Sequence, residues 1–189
     1  MTTTRHTRTR RVLLCITTFA ALATSACATG APSVPASPTS EQTADGISPP
    51  DETDAAASAA LAAYMSYWET TDAALAAPGI RDWRPELEAV SQGDALDAVL
   101  AEIENYRSLP AHTVGSIDRS PTVVSADTRT VSILDCVDLG DSQLVSDRTG
   151  AVLDDLENRV ERFHLRAEVV SVGGRWLVQQ TSPALDEPC

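Results

Sequence analysis

Phe163-His164-Leu165-Arg166-Ala167-Glu168-Val169, followed by Gly173-Gly174 and then Arg175-Trp176-Leu177-Val178-Gln179-Gln180-Thr181, decides the architecture of this chain. Phe163, Leu165, Ala167 and Val169 alternate with His164, Arg166 and Glu168. A two-residue period of this kind belongs to a strand with one face on a core and one face in water. The glycine pair supplies the positive φ angles that a tight hairpin turn demands. Arg175 to Thr181 then returns as a long strand with Trp176 and Val178 on one side. The unit is an antiparallel hairpin, and its neighbours must be compatible with it.

Working back from the hairpin, Thr130 to Val137, Thr122 to Ser125 and Thr113 to Ile117 are rich in Val, Ile and Thr and read as further strands. Gln143 to Ser146 and Ala151 to Leu153 flank Asp147-Arg148-Thr149-Gly150, a turn at the tip of another hairpin. Before Pro110 the period changes. Leu61, Tyr64, Met65, Trp68, Asp72 and Leu75 recur at three- and four-residue steps, the stripe of one helix over about Asp54 to Ala77, stopped by Pro78-Gly79. Pro85 suits the first turn of a short helix to about Ser91, closed near Gly93. A third helix presents Leu96, Val99, Leu100 and Ile103 and ends before Pro110. Helices first and an antiparallel sheet afterwards define an α+β domain, expected over residues 51–189.

The first fifty residues have a different character. Arg5, Arg8, Arg10 and Arg11 precede an apolar run from Val12 to Ala23, and no acid appears before Glu41. That run falls within the ~7–15 residues of a secretory signal core and short of the ~20 needed to span a bilayer as a helix. Leu22-Ala23-Thr24-Ser25-Ala26-Cys27 resembles the end of a bacterial lipoprotein signal, with Thr24 where such signals usually carry Leu. The resemblance implies a signal peptide over 1–26, a diacylglyceryl group on Cys27, and a lipid-anchored protein on the extracellular face of the cell membrane. Ordinary secretion with cleavage near Ala26 is the alternative. Thr9-Arg10-Arg11-Val12-Leu13-Leu14 also resembles a twin-arginine signal, so the export route stays open. Residues 27–50, rich in Pro, Ser, Thr and Gly, bury too little to offset their ordering entropy and are expected to be a disordered tether. Its root-mean-square reach is roughly 25 Å.

Charge narrows the partners. After residue 26 the chain carries ten arginines, no lysine and 27 acids, a net charge of about −17. A body of that sign is repelled by nucleic acid and by anionic lipid. No nucleic-acid partner is expected, and the membrane would be reached through acyl chains rather than basic residues.

Tyr64, Tyr67 and Trp68, Asp135-Cys136-Val137-Asp138, Gly174-Arg175-Trp176-Leu177-Val178 and Cys189 resemble the extracellular lipoproteins of high-GC Gram-positive bacteria with an NTF2-like cone fold (SnoaL/ketosteroid-isomerase type). The resemblance spans about Leu61 to Cys189. It implies a first helix lying in a curved antiparallel sheet that closes over it. Enzymes of that fold perform acid–base chemistry inside the cone with an inward Asp or His and a Tyr donor. The candidate pocket residues are therefore Tyr64, Trp68, Tyr106 and Asp135, with His112 and His164 as further titratable groups. His164 alternates with Phe163 and Leu165 and so faces away from the core. Asp135 and Cys136 are neighbours on a strand, so only one of them points inward.

Cys15 falls inside the signal and Cys27 would be acylated, leaving Cys136 and Cys189. An even pair in an oxidising compartment favours a disulfide. No Cys-x-x-Cys, Gly-x-Ser-x-Gly, His-Glu-x-x-His or phosphate-cradling glycine loop is present. Asp135, Asp138 and Asp141 are spaced by three and lack a distal Glu at EF-hand spacing. No metal or cofactor is expected. The sequence therefore implies a non-catalytic surface module whose cone or sheet face meets an extracellular protein, with Trp68 and Trp83 as aromatic anchors. The alternative is an enzyme or binder acting on a small apolar ligand inside the cone.

Overall fold

The computed structural model describes residues 51–189. The expected signal at 1–26, the expected lipidation site Cys27 and the expected tether at 27–50 lie outside the described residues. Three helices come first, α1 (Glu52–Ala76), α2 (Arg84–Val90) and α3 (Gly93–Ser108). Six strands follow: β1 (Ala111–Val114), β2 (Asp118–Ala126), β3 (Thr130–Asp138), β4 (Gln143–Ser146), β5 (Arg162–Val172) and β6 (Arg175–Ala184). The α+β class is thus observed. β2, β3, β5 and β6 form a four-stranded antiparallel sheet in that order, and β1 and β4 form a separate antiparallel pair.

Local chemistry accounts for most boundaries. Asp51 caps α1 by accepting from the Thr53 amide at 3.4 Å, and Glu52 and Asp54 complement the positive helix N-terminus. Pro85 opens α2, and Arg107 sits in the last turn of α3. Gly173 and Gly174, with φ of +59° and +80°, make the β5–β6 turn.

Several boundaries differ from the sequence reading. The strand expected over Thr113 to Ile117 is β1, which stops at Val114. At Gly115 φ is +84° and a Cβ would lie 2.3 Å from the Asp141 carbonyl oxygen, so the backbone must turn there and only glycine fits. β2 correspondingly begins at Asp118, four residues before the expected Thr122. Ala151 to Leu153 contribute a single bridge, Val152 to Val145, although the intervening residues do form the expected turn. Gly93 opens α3 rather than closing α2.

α1 is the spine of the domain. It packs against α2, α3 and five of the six strands. Its buried face is Ala56, Ala60, Tyr64, Tyr67, Thr71 and Ala74, rotated from the expected stripe, and Met65 is 43% exposed. Alanines on the inner face let the sheet approach closely, so the helix buries its small residues and tyrosines rather than its most hydrophobic side chains. Opposite it, β3 alternates without fault: Val131, Ile133, Asp135 and Val137 point inward. β5 does the same with Phe163, Leu165, Ala167 and Val169. A bulge at Gln179 shifts the β5–β6 register between Glu168 and Val169 and keeps Val178 in the core. The free edge of β6 is partly closed by the α2–α3 junction, where the Gln92 amide donates to the Val178 carbonyl at 2.9 Å.

Candidate functional site

Asp135 is the one polar residue in the inward row of β3, and it is fully buried. Both carboxylate oxygens have a donor. The Tyr64 hydroxyl donates to Oδ2 at 2.8 Å, and the Ser120 amide of β2 donates to Oδ1 at 2.7 Å. Burial is the largest influence on this carboxyl and holds it above the usual carboxylate range, against the opposing effects of Tyr64, Ser120 and Arg119. Burial likewise pushes the Tyr64 phenol far up, with the Asp135 charge adding to it. Tyr64 is therefore a permanent proton donor in its hydrogen bond.

Trp68, one helical turn after Tyr64, makes edge-to-face contacts with Tyr64 at 6.2 Å and Tyr67 at 4.8 Å between ring centroids. The Arg119 guanidinium covers its outer face, 3.8 Å from the ring centroid, and bonds Asp72 through Nη2 at 3.0 Å. Burial raises the Asp72 carboxyl even so, with Arg119 opposing it. The result is a graded series from core to surface: Tyr64–Asp135, then Trp68, then Arg119–Asp72. Two atoms in this wall are imperfect. Trp68 Nε1 and Thr71 Oγ1 are buried without a hydrogen-bond partner among the described residues, although the indole lies close enough to Tyr64 to favour its ionised form slightly.

Three of the four candidate pocket residues, Tyr64, Trp68 and Asp135, thus come together. Tyr106 does not join them. It is buried on α3, where burial and then Glu102 raise its phenol. Of five clefts on the described residues, none is lined by Tyr64, Tyr106 or Asp135, and Trp68 lines a surface cleft with Arg119 and Asp72. Both members of the acid–base pair are fully buried, and none of these five clefts reaches them.

The remaining candidates fall elsewhere. His112 Nδ1 pairs with Asp147 Oδ1 at 2.5 Å beside the Ala76–Ile80 turn, where both side chains are partly exposed. His164 sits opposite Cys136 on the outer face of the sheet, turned away from Phe163 and Leu165. Trp83 is buried, its Nε1 donating to the Ala77 carbonyl at 3.0 Å, so it anchors the α1–α2 corner and offers no surface. Cys136 and Cys189 are joined, with sulfurs 2.05 Å apart. Among the described residues no group of three or more metal-binding side chains occurs, and no helix is long and apolar enough to cross a membrane.

Arg119 and Tyr67 were not legible as site residues from sequence. The signal for Arg119 was its position two residues before Pro121 on the same face of β2, which the late start assigned to that strand concealed.

No family model matches the chain, and no curated protein matches it. Sixteen chains of known structure are similar to it. One is the intermembrane-space region of the chloroplast protein ARC6, 16% identical, covering 67% of this chain and 95% of that one with a TM-score of 0.48. Another is a de novo designed β-sheet protein, 12% identical, covering 69% and 88% of the two chains with a TM-score of 0.34.

Proposed function

We propose that this chain is a cell-surface lipoprotein, anchored through a diacylglyceryl group on Cys27, whose NTF2-like domain is a non-catalytic binding module. The observation that carries this reading is the closed state of the Tyr64–Asp135 pair. Each Asp135 oxygen already holds a donor, Trp68 and Arg119 cap the pair, and no described cleft reaches it. A catalytic carboxylate needs an oxygen that substrate can approach. Here the pair fastens α1 to the sheet, and recognition falls to the outer surface. The contacts of α1 with five strands support a cone-like arrangement.

The anchor is tested by Cys27→Ser. The substitution should abolish acyl labelling and move the protein from the membrane fraction to the medium, while membrane retention of the variant would overturn it. Two acyl chains give durable anchoring where one gives only marginal binding. The orphaned Trp68 Nε1 and Thr71 Oγ1 favour a second reading, in which Trp68 and Arg119 swing aside to admit a small apolar ligand. A thermal-shift screen with steroid-like and polyketide-like compounds decides between the two, since stabilisation lost in Tyr64→Phe would favour the ligand-binding cone.

A further inference from the structure

The outer face of the four-stranded sheet carries an open groove of about 500 Å³ with mostly apolar walls. It is built from cross-strand rows: Leu134, Arg166 and Ser182 stand side by side, and Ser132, Glu168 and Gln180 form the next row. Val124, thrown outward where β2 bulges and 65% exposed, walls the far side. The volume lies within the range of small-molecule sites.

Charge fixes the orientation of an occupant. Arg166 is the only cation lining the groove, and Glu168 is engaged by Gln179 Nε2 at 3.1 Å. Arg166 already holds a carboxylate, Glu187 Oε2 at 2.5 Å. Glu187 belongs to the tail after β6, which folds back through Glu187 N–H to the Ala184 carbonyl and the His164 amide to the Glu187 carbonyl, both at 3.0 Å. Cys189 ties that tail to Cys136 in the row next to Arg166. The protein thus presents one of its own carboxylates to Arg166 from the rim. Both partners are about half exposed, and exposed ion pairs of this kind are weak and readily exchanged.

We propose that the groove binds a free, monomeric alkyl carboxylate, its head on Arg166 in the place that Glu187 occupies and its chain crossing Leu134 to Val124. The length follows from the sheet. From β5 across β3 to β2 is two strand spacings, about 10 Å, or about eight carbons. This deepens the binding-module reading and rests on it, but uses a face remote from the Tyr64–Asp135 pair.

Octanoate, 1-octanol and acetate titrated calorimetrically into the full mature protein test the proposal. Octanoate saturates the protein. Octanol and acetate each bind at least ten-fold more weakly, because one lacks the head and the other the chain. Arg166→Gln weakens octanoate at least ten-fold, about 1.4 kcal/mol. Glu187→Gln strengthens it up to five-fold by removing the competitor. Val124→Ser, at an exposed position, weakens octanoate while leaving thermal stability unchanged. Equal affinity for octanol and octanoate, unaltered binding by Arg166→Gln, or no saturation below the micellar concentration would overturn it. A shift of the Trp68 indole resonance in place of Ser132 and Gln180 would put the ligand inside the cone and also overturn it. Membrane retention of Cys27→Ser would defeat the anchor alone and leave these titrations untouched.

Discussion

Tyr64→Phe removes one oxygen atom from the centre of the domain and tests how the Tyr64–Asp135 pair acts. The ring stays, so packing against Trp68 is retained, but Asp135 Oδ2 loses its 2.8 Å donor in a fully buried position. A hydrogen bond to a charged group contributes about 1.5–3 kcal/mol, and a buried acceptor left without its donor costs its desolvation penalty. We expect a loss of about 2 kcal/mol at pH 7. With an unfolding entropy of ~2.1 cal/mol/K per residue over roughly 140 described residues, that lowers Tm by about 7 °C. Asp135→Asn is the informative partner. Its amide can still accept from Ser120 and can donate to the Tyr64 oxygen, so it is nearly neutral, and Tyr64→Phe costs at least 1 kcal/mol less in that background. The pH dependence follows from the raised Asp135 carboxyl. The folded state holds a proton that the unfolded state releases above its ordinary 3.8, so Asp135 supports folding most fully below that value. Its contribution declines as pH rises through the folded value, and the wild-type minus Asp135→Asn stability difference traces the decline. Scanning calorimetry of the four proteins from pH 3 to 8 measures all of this. Equal costs of Tyr64→Phe in both backgrounds, or a Tm change below about 2 °C, would refute the reasoning.

Two further substitutions probe the frame. Replacing Cys136 and Cys189 together by Ser opens a loop with a sequence separation of 53 and should cost up to about 4 kcal/mol in urea denaturation; intact-mass detection of two free thiols in the native exported protein would remove the basis for it. Gly115→Ala should cost about 2–3 kcal/mol, because positive φ and overlap with the Asp141 carbonyl act together, whereas Gly150→Ala, with φ of +69° and open space around it, should cost about 1 kcal/mol. Equal costs at the two glycines, measured by thermal melts, would show that the Asp141 contact is irrelevant.

The helix-then-sheet order and the β5–β6 hairpin were legible because alternation and the glycine pair are local signals. The face of α1 was not, because counting hydrophobic side chains favours Met65 and Leu75, while close approach to a sheet favours Ala60 and Ala74. Asp135 illustrates the same limit. Strand alternation leaves open whether it or Cys136 points inward, and a carboxylate in a core row with Val131, Ile133 and Val137 is credible only once its donors are known. Tyr64 lies 71 residues away in sequence. Gly115 likewise needed the Asp141 backbone, and the Gln179 bulge needed the β5 register, and neither is written in a single stretch.

The composition of α1 also shapes how the domain assembles. Ten of its 25 residues are alanine, so it can form a helix early and on its own. The strands it packs against come well after it in the chain, and contacts of such long sequence separation form slowly. Until the sheet arrives, Tyr64, Tyr67 and Trp68 stand together on a bare helix face. Apolar surface left bare in that interval is what favours aggregation before the core closes.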